Sequence, residues 1–269
     1  MITILIYMPL SPELSRLPRI AASFYRAGLL QELVWGIVTG ETGRDMVEDA
    51  EKLLVQLEKQ SKVDLCGLEN IPSESGCLIV FNHPNMEILL PAMLELFVGI
   101  FETNGKQVRL AMGSEIPMMT KNFNDKTAMP GSVWLLERFH GMYSNNIISV
   151  PTAENRKDFL TGRTVAVRKM MRSFKDHNIV AISPEGHVEI NGSVSPVETY
   201  HDGSGKMAML ATRMGIPTVP VSVWGSEKEM SVVVGKPFFI TAETANLAAV
   251  ESMLHVSLNL PEELRGPFR

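Results

Sequence analysis

Asn82-His83-Pro84-Asn85-Met86-Glu87 places a carboxylate four residues after a histidine. An imidazole of ordinary pKa can take a proton from a hydroxyl, and a carboxylate within reach can fix its tautomer and stabilise the imidazolium. The pair therefore suits general acid/base work. The same six residues also suit a helix-capping turn, since Asn and Pro are ordinary choices at a helix start. A second carboxylate, Glu185, lies in Ile179-Val-Ala-Ile-Ser-Pro-Glu-Gly186, an apolar run ending in a turn; taken alone it is a common loop pattern. A third segment, Gly215-Ile-Pro-Thr-Val-Pro-Val-Ser-Val223, reads as a strand with two prolines, which points to a sheet edge or a constrained entry.

His83 follows Cys77-Leu-Ile-Val-Phe81 and precedes Ile88-Leu-Leu-Pro-Ala-Met-Leu-Glu-Leu-Phe97, so a buried strand should end and a helix begin around it. From Val63 onward, short apolar runs at 63–68, 77–81, 107–112, 146–150, 179–183, 217–223 and 231–234 alternate with helical stretches near 86–102, 131–140, 161–176, 204–214 and 243–257. That alternation predicts an α/β fold, a mixed, largely parallel sheet flanked by helices. Strand ends of such sheets gather in one crevice, the usual ligand site, so residues 82–87 and 183–187 should meet there. Upstream, Ser15 to Val38 is helix-like, with Leu17, Ile20, Phe24, Leu29, Leu30, Leu33, Val34 and Trp35 apolar and Arg16, Arg19 and Arg26 polar. Such a helix packs on its own domain or lies in a lipid interface, the first being the commoner outcome. Thr42 to Gln60 forms a second helix, with Gly40 and Gly43 making the turn. The expected division is an N-terminal helical hairpin over 1–62, a possible membrane-interface element, and one compact α/β domain over 63–269.

The 269 residues are 45% apolar and 20% charged, which excludes disorder. With a net charge of −5 and no basic block, nucleic acid is excluded as a partner and any membrane contact should be mainly apolar. Residues 1–10 are apolar but have no basic leader and no small-residue cleavage site, so no signal peptide is expected. The greasy stretch 88–101 is interrupted by Pro91 and Glu95 and falls short of the roughly 20 residues a spanning helix needs. Cys66 and Cys77 lack a metal-type spacing and read as reduced packing residues of a cytosolic protein. Gly203-Ser-Gly-Lys206 resembles the end of a phosphate loop, but position 200 is Tyr and Met207 stands where Ser or Thr is needed. No Gly-x-Ser-x-Gly elbow occurs. His187, His201, Asp202 and Glu185 have no metal-finger spacing and read as satisfied loop residues, and His140, His177 and His255 as surface residues.

Taken in order, these segments resemble the glycerolipid acyltransferases, the phosphate acyltransferase family that includes lysophosphatidic acid acyltransferases. The resemblance rests on Asn82-His83 after a strand, the lead-in Gly67-Leu-Glu-Asn-Ile-Pro72, the triplet Pro184-Glu185-Gly186, the helix-like Gly205-Lys-Met-Ala-Met-Leu-Ala211, and Ile216-Pro-Thr-Val-Pro-Val221. It covers about residues 64–225. Three positions depart from the family pattern. The His83 to Glu87 interval is one residue short, with Glu for the family's Asp. His187-Val188 replaces a Thr-Arg, and the arginine after Ile147-Ile-Ser-Val150 is displaced, with Arg156 and Arg163 as candidates.

The resemblance implies an O-acyltransferase in which His83 is the general base, oriented by Glu87. Asn82, Pro184, Glu185, Gly186 and His187, with Arg156 or Arg163, would form the acceptor side of the site. The implied partners are an acyl thioester donor, acyl-CoA or acyl carrier protein, a lysophospholipid such as lysophosphatidic acid or another hydroxyl acceptor, and a membrane surface. The 88–101 helix and the hairpin would offer apolar surface to acyl chains. No cofactor or metal is implied, and the expected location is cytoplasmic, peripheral on the inner face of the membrane. The alternatives are a non-catalytic lipid-binding relative, and a thioester or metal-dependent hydrolase using the same crevice.

Overall fold

Leu78 and Val80 contribute to one hydrophobic cluster while Ile79 and Phe81 contribute to another. That alternation is the two-residue period of a strand buried on both faces, and it marks β2 (Leu78–Phe81) as central. β7 (Ile179–Ile182) repeats the pattern, with Ile179 and Ala181 on one side and Val180 and Ile182 on the other. In the computed structural model, which describes residues 18–119, 126–154, 156–189 and 192–269, both lie in the middle of a seven-stranded sheet. The other members are β1 (Lys62–Cys66), β3 (Val108–Gly113), β6 (Ile147–Val150), β8 (Thr218–Gly225) and β9 (Glu229–Val234). The order is β1-β9-β8-β2-β7-β3-β6. β8, β2, β7, β3 and β6 run parallel, whereas β9 pairs antiparallel to β8 and β1 follows β9. The sheet is thus mixed and largely parallel, as the alternation of elements requires.

Helix α4 (Met86–Asn104) covers one face through Ile88, Leu89, Ala92, Met93, Leu96, Phe97 and Ile100. Its start is fixed locally, because the Asn85 side chain accepts from the backbone N–H groups of Glu87 and Ile88. The opposite face is covered by α6 (Phe159–Lys175), α7 (Asp202–Arg213) and α8 (Ala245–Ser257). Between α7 and α8 the approach is so close that a Cβ at Gly205 would sit 1.7 Å from the Ala245 carbonyl oxygen. A third cluster joins α2 (Leu29–Thr39) and α3 (Met46–Leu57) to α4, to Met142 of α5 (Ser132–Met142) and to β6. The N-terminal helices therefore share a core with the α/β layer. Asp49 adds a polar tie, accepting from Arg44 Nη2 at 2.9 Å and from the Tyr143 hydroxyl at 2.7 Å.

Three expectations are corrected and one element is added. The single helix from Ser15 to Val38 is two: α1 (Pro18–Arg26) stops before Gly28, whose φ of 74° lies in the left-handed region, and α2 starts afresh, while Ser15 lies outside the described residues. A short antiparallel pair, β4 (Pro117–Met119) and β5 (Lys126–Ala128), was not foreseen. The proline-bearing strand β8 is interior rather than at an edge. Pro217 precedes it, and Pro220 faces β9 where that ladder ends, with the Gly235 N–H bonded to its carbonyl at 2.8 Å, so the missing donor costs no pairing. Cys66 is exposed on outer strand β1 rather than packed, whereas Cys77 is buried and its thiol pKa is pushed up to about 12 by that burial.

Candidate active site

Asn82 follows the last residue of β2 and is 2% exposed. Its amide extends the sheet past the strand end. Oδ1 accepts from Val223 N–H and Nδ2 donates to Val223 C=O, both at 2.8 Å, which ties the turn to β8. The second Nδ2 donor reaches Glu189 Oε1, also at 2.8 Å. Every polar group on this side chain is committed, as burial demands.

His83 is then held by its own backbone. Its N–H donates to Glu185 Oε2 at 2.7 Å and its C=O accepts from the Glu189 N–H at 2.8 Å. The other Glu185 oxygen accepts from Ser195 N–H at 2.8 Å. Glu185 is fully buried, and burial raises its pKa above the usual carboxylate value against the pull of the Ser195 and His83 N–H groups. Glu189 is pushed up to about 7 by burial, opposed by Asn82 and reinforced by the charge of Glu185.

The His83 ring is half-buried, and its Nδ1 lies 3.3 Å from the Pro84 carbonyl oxygen. A carbonyl only accepts, so in this contact Nδ1 carries the proton and Nε2 keeps its lone pair. Burial pushes the His83 pKa below 6.5, the Pro84 contact opposes, and nearby His187 adds to the lowering. The ring is therefore neutral at neutral pH. Glu87 sits half-buried in the first turn of α4.

The crevice brings residues 82–87 and 183–189 together at the C-terminal ends of β2 and β7, as the topology requires. Pro184 is buried, and its carbonyl accepts from His201 N–H at 3.1 Å. Gly186 has φ 63°, and a Cβ there would lie 2.1 Å from the His201 ring, so glycine is required twice over. His187 is half-buried, with Nδ1 at 3.0 Å from the Val188 carbonyl. Two expected roles change. Glu185 grips backbone rather than facing an acceptor. Arg156 has all five N–H donors engaged, by Asp158, Ser114, Glu115 and Glu137, and so has none left for a headgroup. Arg163 is exposed, donating from Nε to Pro151 C=O at 3.1 Å with its guanidinium 4.1 Å above the Phe159 ring. It follows β6, three strands from β2 and so about 14 Å along the strand ends.

Glu189, Pro84, Ser195 and Val223 were missed by sequence reasoning. The one signal for Glu189 was a carboxylate flanked by Val188 and Ile190. His140, expected at the surface, is 5% exposed: it follows the charged Glu137 and Arg138 but lies on the inner side of α5, with Nδ1 2.9 Å from Ser149 Oγ. Among the described residues no three His, Cys, Asp or Glu side chains group as a metal site. A cleft of about 390 Å³ opens beside α4, lined by Leu54, Leu57, Val63 and Pro91 with Glu58, Ser61, Lys62 and Glu95. No described helix is long and apolar enough to cross a membrane.

The family model described as Acyltransferase matches residues 62–224, well over half of the chain. Among solved structures, the 1-acyl-sn-glycerophosphate (LPA) acyltransferase PlsC from Thermotoga maritima is similar at 17% identity, over 86% of this chain and 88% of that one, with a TM-score of 0.46. Comparison with the curated proteins gives no match.

Proposed function

The chain belongs to the acyltransferase family and is an acyltransferase enzyme, and from that premise we propose that it moves a fatty acyl group from an acyl thioester to the hydroxyl of a lysophospholipid, such as lysophosphatidic acid, with His83 as general base. The observation that carries this reading is the contact of His83 Nδ1 with the Pro84 carbonyl. With Nδ1–H turned to the Pro84 carbonyl, Nε2 has its lone pair available, and burial keeps the ring neutral.

The transfer then runs in a defined order. Nε2 takes the proton of the acceptor hydroxyl as its oxygen bonds to the thioester carbonyl carbon. The tetrahedral intermediate collapses with cleavage of the C–S bond, and the imidazolium returns its proton to the departing thiolate. A thiolate whose conjugate acid has a pKa near 8.5 leaves with little help, so one base serves both steps. Glu87, in the adjacent helical turn, stabilises the imidazolium. The Gly186 N–H and His187 border the acceptor, and Arg163 is the remaining arginine candidate for its phosphate. Acyl-CoA or acyl carrier protein supplies the acyl group, whose chain lies along α4 and the cleft beside it.

The enzyme works at the cytoplasmic face of the membrane. Tyr25, Val34, Trp35 and Val38 are 54–69% exposed on α1 and α2 and form the apolar contact. Purified protein given acyl-CoA and a panel of lysophospholipids tests the reading. Thiol release should depend on added acceptor and vanish in His83→Ala. Acceptor-independent release would identify a hydrolase, and no release with any pair would identify a lipid-binding relative.

A further inference from the structure

Glu189 has no part in the transfer just described, yet it grips the base's turn at two points. Its N–H donates to the His83 carbonyl and its Oε1 accepts from Asn82, each at 2.8 Å. Asn82 cannot rotate without also giving up both bonds to Val223. An amide or a hydroxyl at position 189 would also accept from Asn82, but as a neutral and weaker partner. A carboxyl group brings something different, an acceptor whose strength depends on its proton, since an ionised acceptor makes the shorter and stronger hydrogen bond.

We propose that Glu189 is a positioning residue for acyl transfer: ionised, it holds Asn82 and with it the His83 turn in working geometry, and protonated it weakens that hold. The proposal rests on the reading of His83 as the base. The titratable groups around Glu189 are Glu185 and His187 on its own segment, His83 on the β2–α4 turn, and Glu198 and Tyr200 ahead of α7. No Lys or Arg forms an ion pair with Glu185 or Glu189 among the described residues. Two neighbouring buried carboxyl groups without a cation favour keeping a proton, and the Glu189 carboxyl accordingly changes charge at about pH 7. His83 changes charge below 6.5. Two groups, one the base and one its support, must therefore lose protons before the enzyme works at full rate.

The test is the pH dependence of kcat and kcat/KM for the full chain as wild type, E189Q and H83A, with palmitoyl-coenzyme A as donor, 1-oleoyl lysophosphatidate as acceptor, and thiol release as the readout. The acid limb of the wild type should fall with two protons. In E189Q it should fall with one and at lower pH, and kcat at high pH should drop about tenfold with KM nearly unchanged, as expected of a slightly misplaced base. A purely structural role would lower the melting temperature and leave the proton count alone. An E189Q enzyme with wild-type kcat and a two-proton limb overturns the proposal, as does a one-proton limb in the wild type. If H83A turns over like the wild type, the His83 reading falls and takes the proposal with it. An inactive H83A beside an unaltered E189Q overturns the proposal alone. Should E189Q fail to fold, E189D is measured instead. Its shorter carboxylate keeps the two-proton limb but draws back from Asn82, so kcat should fall, and a wild-type kcat would count against the proposal.

Discussion

Replacing Glu189 with Gln removes a carboxyl group whose pKa rises from an ordinary 4.5 to about 7 in the fold. Between those values the native state keeps a proton that the unfolded chain has lost, so stability falls as pH rises through the window. At about 1.4 kcal/mol for each pH unit crossed, the loss is roughly 3 kcal/mol. His140 acts in the opposite sense. Burial pushes its pKa from 6.5 down to about 4, with the Glu115 charge opposing, and its Nε2 is buried without a partner among the described residues. Below 6.5 the unfolded chain binds a proton that the native state excludes, so stability rises with pH from about 4 to 6.5, by a similar 3 kcal/mol or so. In the wild type the two slopes largely cancel. The Gln side chain keeps an oxygen for Asn82, so Glu189→Gln should fold, and relative to wild type it should gain about 3 kcal/mol between pH 4.5 and 7. Urea unfolding followed by circular dichroism at half-unit pH steps reads this as a midpoint difference that widens by about 1 M across the window. His140→Asn should do the reverse, its advantage over wild type being largest near pH 4 and gone by pH 6.5. Parallel wild-type and Glu189→Gln curves from pH 4.5 to 7 would refute the assignment of this titration to Glu189.

Glu185→Gln leaves one acceptor oxygen for two backbone donors and turns its own NH₂ toward the other, so it should cost about 2 to 4 kcal/mol in urea unfolding and lower kcat of the folded enzyme about 100-fold; an unchanged midpoint would show that the carboxylate does not clamp His83 and Ser195. Gly205→Ala must force α7 from α8, and a loss of about 3 kcal/mol should lower the melting temperature by roughly 6 to 12 °C. Trp35 and Val38 are 69% and 61% exposed, and replacing both with Ser should weaken sedimentation with phosphatidylglycerol vesicles by more than about tenfold. Undiminished binding would move the membrane contact elsewhere.

The seven strands of the sheet were legible because each is a short apolar run, and the central ones are apolar on both faces as a doubly covered strand must be. β4 and β5 carry little such signal, since Pro117 and Lys126 open them. The α1–α2 break hid in an apolar stretch, where Gly28 reads as a tolerated helix residue until its φ is known. In the crevice the sequence pointed to Asn82, His83 and Glu185, because the segments bearing them recur in a recognisable order. It could not assign what Glu185 touches. His83 and Glu185 are 102 residues apart, Asn82 and Glu189 107, and Asn82 and Val223 141, so those pairings exist only once the sheet order is set. The burial of His140 was illegible for a related reason, as its partner Ser149 lies on the neighbouring strand β6.

The His83 backbone is gripped by Glu185 and Glu189, and Asn82 before it by Val223, none of them in the short segment that leads from Pro84 into α4. The place of the imidazole is thereby uncoupled from the length of the segment leading into α4. A deletion or insertion between Pro84 and Glu87 can alter where the helix starts while the ring stays where it is. The shortened interval to Glu87 is then a change the scaffold absorbs, and variation in loop length at this point becomes a route by which related chains reshape the crevice without relocating the imidazole.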